Sequence, residues 1–265
     1  MRGEWIVRPP AVLLGLLALS VSSSSAAAEL SEVAACVQAN LPGSSSIVTL
    51  ELRSIDRSGG ARTLAGQMHW KQNEQGLSKT LIELEMPLDV RGSAYLMLER
   101  ESGQDMWVYL PGLAKVRRIH PRTISGQLFG TDFSYEDIAR LQRISTEQNA
   151  ERLPDEKLGE RSVYRVRAVP GAEEVSAYSR IDYFLDRETC LPLKIEFFAP
   201  GGALRKLLTG DVASIRRVGA GWILGAVEIK DLESETESHM VLSQVQVDVD
   251  LPDRMFQTSY LVRGH

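Results

Sequence analysis

Two cysteines and four histidines in 265 residues leave little material for metal chemistry. His69, His120, His239 and His265 are scattered, with no i, i+4 pair, and Cys36 and Cys190 stand far apart, so neither set has the spacing of a zinc site. The chain also lacks a G-x-S-x-G elbow, a phosphate-cradling glycine loop and a dinucleotide fingerprint. The usual signatures of hydrolases and nucleotide-dependent enzymes are therefore missing, and neither a cofactor nor catalysis is expected. No basic block is present and the net charge is −5, which argues against nucleic acid as a partner. No apolar run reaches the roughly 18 residues of a membrane-spanning helix.

The one uncharged apolar run, AVLLGLLALSV at residues 11–21, follows Arg2 and Arg8 and precedes SSSSAAA. That order is a secretory signal peptide, with Ala26 and Ala28 placed for cleavage before Glu29. Residues 1–28 are read as the leader and 29–265 as a single exported, soluble domain. Removing the leader leaves 28 basic against 34 acidic residues, a net charge of −6. Val33-Ala34-Ala35-Cys36 has the form of a lipoprotein cleavage box, but Glu29 and Glu32 separate it from the apolar run. Cys36 fits better on an N-terminal helix, EVAACVQANL, ending at Pro42-Gly43. In an oxidising compartment Cys36 and Cys190 could form a disulfide, and two free buried thiols fit the spacing equally well.

Beyond that helix the chain is a succession of strands. Alternating apolar positions mark residues 47–55, 63–71, 79–86, 93–99, 106–110 and 115–120, then 163–169, 179–185, 193–198, 204–212, 222–232 and 236–249. Turn residues separate them: Asp56 to Gly60, Pro111-Gly112, Pro170-Gly171, Pro200-Gly201-Gly202. About a dozen strands joined by hairpin-length turns imply one antiparallel meander, large enough that it must curl. With so few helices, the concave face is filled either by side chains or by a ligand.

QLFGTDFSYEDIARL, residues 127–141, gathers Asp132, Glu136 and Asp137 beside Phe133 and Tyr135. Ser134 is an N-cap candidate with Asp137 three residues on, as in a capping box. Glu136 and Asp137 fall in the first turn of a helix over residues 135–143, where its dipole favours negative charge. Asp132 has loop backbone to bridge. Structural work thus accounts for all three acids. Arg117 and Arg118 are expected either to pair with these acids or to meet an anionic head group. Trp107 and Tyr109 share one face of their strand.

EMPLDVRGSAYLMLERESGQDMWVYLPGLAKVRRI followed by GQLFGTDFSYEDI resembles the outer-membrane lipoprotein-sorting, LolA-like family. The matching positions are Pro87, Asp89, Arg91 and Gly92, then Asp105 to Pro111, Val116 to Ile119 and Phe129 to Asp137, with a C-terminal turn at LPDRMF. The resemblance implies a mainly β fold: an unclosed, strongly curved antiparallel β-barrel with a few lid helices over a hydrophobic cavity. It further implies a periplasmic carrier of acylated lipoprotein or lipid, or a lipid-sensing adaptor beside an RND-type exporter. An inner-membrane exporter and an outer-membrane acceptor are the implied partners. On this reading Ile82, Leu84, Met86, Leu96, Leu98, Trp107, Tyr109, Ile195 and Phe197 line the cavity. Arg117, Arg118, Phe129, Asp132, Phe133, Tyr135, Glu136 and Asp137 form or hold the lid.

Overall fold

The computed structural model describes residues 22–41, 43–101, 103–142, 144 and 149–263. Most of the expected leader, and also Pro42, Arg143 and His265, lie outside the described residues. Helix α1 spans Ser22–Ala39. The strands are β1 Ser45–Ile55, β2 Ala61–Gln72, β3 Ser78–Met86, β4 Ala94–Arg100, β5 Gly103–Leu110 and β6 Lys115–Arg118. Helix α2, Tyr135–Gln142, follows, and then β7 Ala150–Leu158, β8 Arg161–Ala168, β9 Arg180–Asp186, β10 Pro192–Phe198 and β11 Leu204–Gly210. The chain ends with β12 Ile215–Val218, β13 Gly221–Leu224, β14 Ala226–Asp231, β15 Thr236–Val247 and the short α3 Tyr260–Arg263.

Thirteen strands form one antiparallel sheet in the order β6-β5-β4-β3-β2-β1-β15-β14-β11-β10-β9-β8-β7, with β12 and β13 as a separate hairpin. β6 and β7 occupy opposite edges, so the barrel is open. Residues paired across strands share a face. On one face Leu50, Leu52, Leu64, Ile82, Tyr95, Met106, Tyr164, Tyr183, Ile195 and Phe197 belong to a single buried cluster that reaches from β5 to β8. The opposite face carries two separate clusters instead. A sheet whose distant strands meet on one side only is curved toward that side.

Antiparallel order also sorts the connections into two ends. Turns 56–60, 87–93, 111–114, 199–203 and 232–235 and the connection 169–179 stand at one end, here the mouth, and turns 73–77, 159–160 and 187–191 at the other. The convex side is covered locally. Leu251, Phe256 and Leu261 of the C-terminal segment pack on Leu81, Ala94 and Leu96, and Asp253 pairs with Lys71 and Lys79.

Two departures from the strand pattern have local causes. Residues 222–232 are not one strand: β13 and β14 part at Gly225, where a Cβ would lie 2.2 Å from Arg216 Nη1 and 2.9 Å from Ser214 O. Edge strand β7 (AERLPDEKL) shows no alternation because it holds Pro154 and a register shift between Leu153 and Glu156. Charge, proline and a bulge are ordinary protection for an edge.

Candidate functional site

The concave wall, its covering helix α1 and the plug at the mouth make up the candidate site. α1 presents Leu30, Val33, Cys36 and Val37 to the wall, a stripe at helical spacing. Its C-terminal end is fixed twice. Cys36 is joined to Cys190 in the β9–β10 turn by a disulfide, with Cα atoms 5.8 Å apart. Asn40 Oδ1 accepts from Trp222 N at 2.7 Å, and Asn40 Nδ2 donates to Trp222 O at 3.2 Å. Closeness there demands Gly221, since a Cβ would stand 2.1 Å from Asn40 O.

The plug is residues 127–142. Phe129 and Gly130 both take left-handed φ (53° and 80°), turning the chain inward. Phe133 then enters the core completely, with no exposed surface, and Tyr135 stacks on Tyr95 at 5.6 Å between ring centroids. Ser134 and Asp137 form a reciprocal cap: Asp137 N donates to Ser134 Oγ at 3.1 Å, and Ser134 N to Asp137 Oδ2 at 2.7 Å.

All three carboxylates are buried and each is bonded to the sheet or its connections. Asp137 accepts from Lys206 Nζ of β11 at 2.9 Å and from Tyr178 Oη at 2.6 Å. Lys206 also donates to Asp132 O at 2.6 Å. Asp132 takes hydrogen bonds from the Thr236 and Ser238 hydroxyls of β15, the latter at 2.7 Å. Glu136 accepts from Arg140 Nε at 3.1 Å, from the Ser176 hydroxyl and from Ala177 N at 2.9 Å. The acids therefore pin α2 across the mouth, and no nucleophile or metal is needed to account for them.

Several expected site residues stand elsewhere. Ile82, Leu84, Ile195 and Phe197 do line the concave wall. Leu96, Leu98, Trp107 and Tyr109 belong to the convex cluster under the C-terminal segment. Ile82 pairs with Tyr95 and Leu81 with Leu96, so the inward rows of β4 and β5 are Tyr95 and Met97, Met106 and Val108. Met86 is 59% exposed. A bulge lets Met86 pair with outward-facing Ala65 while Leu84 pairs with Gly66, which flips its parity. Arg117 and Arg118 do not hold the acids; Arg118 pairs with Asp105 and Arg117 stands exposed on β6. Lys206 and Ser238, which do hold them, are not among the residues expected from the sequence. Their signal was a polar residue in the inward row, Lys206 two before Leu208 and Ser238 two before Met240.

A family model described only as an uncharacterized protein family matches residues 76–263. Among solved structures, an outer membrane lipoprotein-sorting protein domain from Vibrio parahaemolyticus is 26% identical, with a TM-score of 0.80, covering 89% of this chain and 100% of that one. A DUF1329-family protein from Desulfovibrio piger is 22% identical with a TM-score of 0.81, over 88% and 98% of the two chains. A LolA superfamily protein from Nitrosomonas europaea is 22% identical with a TM-score of 0.69, over 89% and 99%. The chain belongs to the family of that model, and its fold is LolA-like. No curated protein matches it.

Two further polar groups sit on the convex side of this LolA-like sheet. Glu228, Glu237 and His239 place possible ligand atoms within 4.8 Å of one another, but the Lys230 ammonium pairs with Glu228 at 3.0 Å and Glu237 at 3.4 Å, so the carboxylates already have a cation. His69 Nε2 lies 3.5 Å from Glu83 Oε2 beside Tyr260. Burial first, and Glu85 second, push Glu83 up to about 7, and burial pushes His69 down.

Proposed function

We propose that this LolA-like chain is a non-catalytic periplasmic carrier that holds the acyl chains of a lipoprotein or lipid against its concave wall for transfer toward the outer membrane. The observation that carries this reading is an apolar wall roofed by a helix and a plug that are not part of the sheet. Hiding an acyl chain from water is worth about 0.8 kcal/mol per CH₂. Exchange between a membrane and such a wall can therefore be nearly neutral, as a carrier requires. The 26% identity to a lipoprotein-sorting domain supports the same cargo class. An RND-type exporter would be the inner-membrane partner, and an outer-membrane acceptor would receive the cargo.

A second reading draws on the closed state. Tyr95, Tyr183, Phe133 and Phe197 fill the concave face with no more than 1% of their surface exposed, and buried charges lock the plug. A lipid-sensing adaptor that opens rarely would need that closure. Native mass spectrometry of the exported chain, followed by solvent extraction, tests the carrier reading, which expects a discrete lipid or acyl-peptide adduct that passes to acceptor vesicles. An adduct that stays bound favours the sensor. A chain that neither carries an adduct nor takes up fluorescent fatty acid rules out both.

A further inference from the structure

We infer that one corner of the mouth, built by the β3–β4 and β5–β6 turns, docks on the surface of an anionic phospholipid bilayer. Leu88 is 77% exposed and Leu113 is 51% exposed, with Met86 beside them. Leu88 and Met86 are the most exposed large apolar side chains among the described residues, and with Leu113 they share adjoining turn tips, whereas Val169, Val175 and Leu232 across the mouth are each less than half exposed. The next residues along the chain, Lys115, Arg117 and Arg122, are all exposed. Of the nearby carboxylates, Asp89 is matched by Arg62 at 2.7 Å and Asp105 by Arg100 at 2.9 Å and by Arg118, and exposed Glu85 has exposed Arg91 beside it, whose Nε donates to Glu85 O at 3.0 Å.

In a chain of net charge −5, this corner is thus locally basic and tipped with apolar side chains. Bases that reach lipid head groups while apolar tips enter the interface are how a protein lies on a bilayer without spanning it. The charge pattern also sets the tilt. Across the mouth the rim bears exposed Glu173 and Glu235, together with Glu174 and Glu233, which Arg140 and Arg205 meet at 2.9 and 3.3 Å. That side is repelled by anionic lipid, so the molecule leans onto its β3–β6 corner and leaves the opposite rim clear. Cargo plays no part in this contact, so its test is separate from that of the carrier reading.

Flotation of the purified chain with protein-free vesicles decides it. Vesicles of phosphatidylethanolamine with phosphatidylglycerol should carry the wild type upward at low salt, and added salt should release it. Leu88→Asp/Leu113→Asp and Lys115→Glu/Arg117→Glu should each weaken binding on the order of tenfold or more. All four positions are exposed, so folding should persist, and circular dichroism checks it. Wild type that stays with the soluble fraction overturns the inference. So do variants that float like wild type, binding indifferent to phosphatidylglycerol, and retention only by membranes that contain protein.

Discussion

A buried lysine is tolerable only while its counter-charge stays in place. Lys206 sits in the inward row of β11 and meets Asp137, Asp132 O and, through Asp137, Tyr178. Replacing one partner of a buried pair strands the other charge, at a cost of about 3–5 kcal/mol. Lys206→Met should therefore lower unfolding stability in urea by that order, and a change below about 1 kcal/mol would mean that water enters the mouth. Glu83 offers a pH-dependent counterpart. Between its ordinary 4.5 and about 7 the unfolded chain has released a proton that the folded chain keeps. Stability from this group is thus highest at low pH, falls as pH rises through that window and is level above it. His69, pushed down from 6.5, opposes this, because its folded state holds fewer protons and gains stability as pH rises. Glu83→Gln removes the first effect and leaves His69 buried beside a neutral amide. Melting scans should show the variant more stable than wild type at about pH 8, on the order of 2 kcal/mol, with the gap closing toward about pH 4.

At the scale of elements, legibility followed the period of the pattern. Strands with one buried face, such as β1 and β8, stood out because their alternation was regular. The reciprocal cap of α2 was equally visible, since Ser134 and Asp137 are three residues apart. Facing was harder to see. β4 reads Ala94-Tyr95-Leu96-Met97, apolar at every position, because the concave core buries one row and the C-terminal segment the other. No alternation can orient such a strand, and Leu96 and Trp107 were placed on the wrong side for that reason. The bulge that expels Met86 leaves no mark in the sequence except Gly66. Phe133, expected as a lid residue, is core, so a charge there would unfold the plug rather than merely loosen it. The two-faced arrangement makes its own prediction. Phe256→Ala should cost about 3–5 kcal/mol in denaturant unfolding yet leave acyl-chain uptake unchanged once the protein is folded, because Phe256 serves the convex cluster alone. Loss of uptake in the folded variant would place the acyl site on the convex face.

For the molecule as a whole, the carrier reading requires that a filled interior admit an acyl chain. The plug is tied to β11, β15 and the 169–179 connection by buried charges, whereas α1 is held by an apolar stripe, Asn40, a hydrogen bond from Tyr164 Oη to Glu32 at 3.2 Å and one covalent link. Breaking a buried ion pair costs more per contact than lifting a short apolar stripe that a lipid chain can replace. On the carrier reading α1 is therefore the part that yields, with the disulfide limiting its swing to the end away from the β9–β10 turn. If only a small fraction of molecules has α1 raised, apparent affinity is reduced by that fraction. Cys36→Ser/Cys190→Ser should then have two opposed effects: global stability drops by about 2–5 kcal/mol, while fluorescent fatty acid binds tighter, on the order of tenfold, because the open fraction rises. Lower stability with unchanged affinity would show that α1 stays closed without its tether and that entry is through the mouth. Lower stability with weaker affinity would make the tethered α1 part of the binding wall itself.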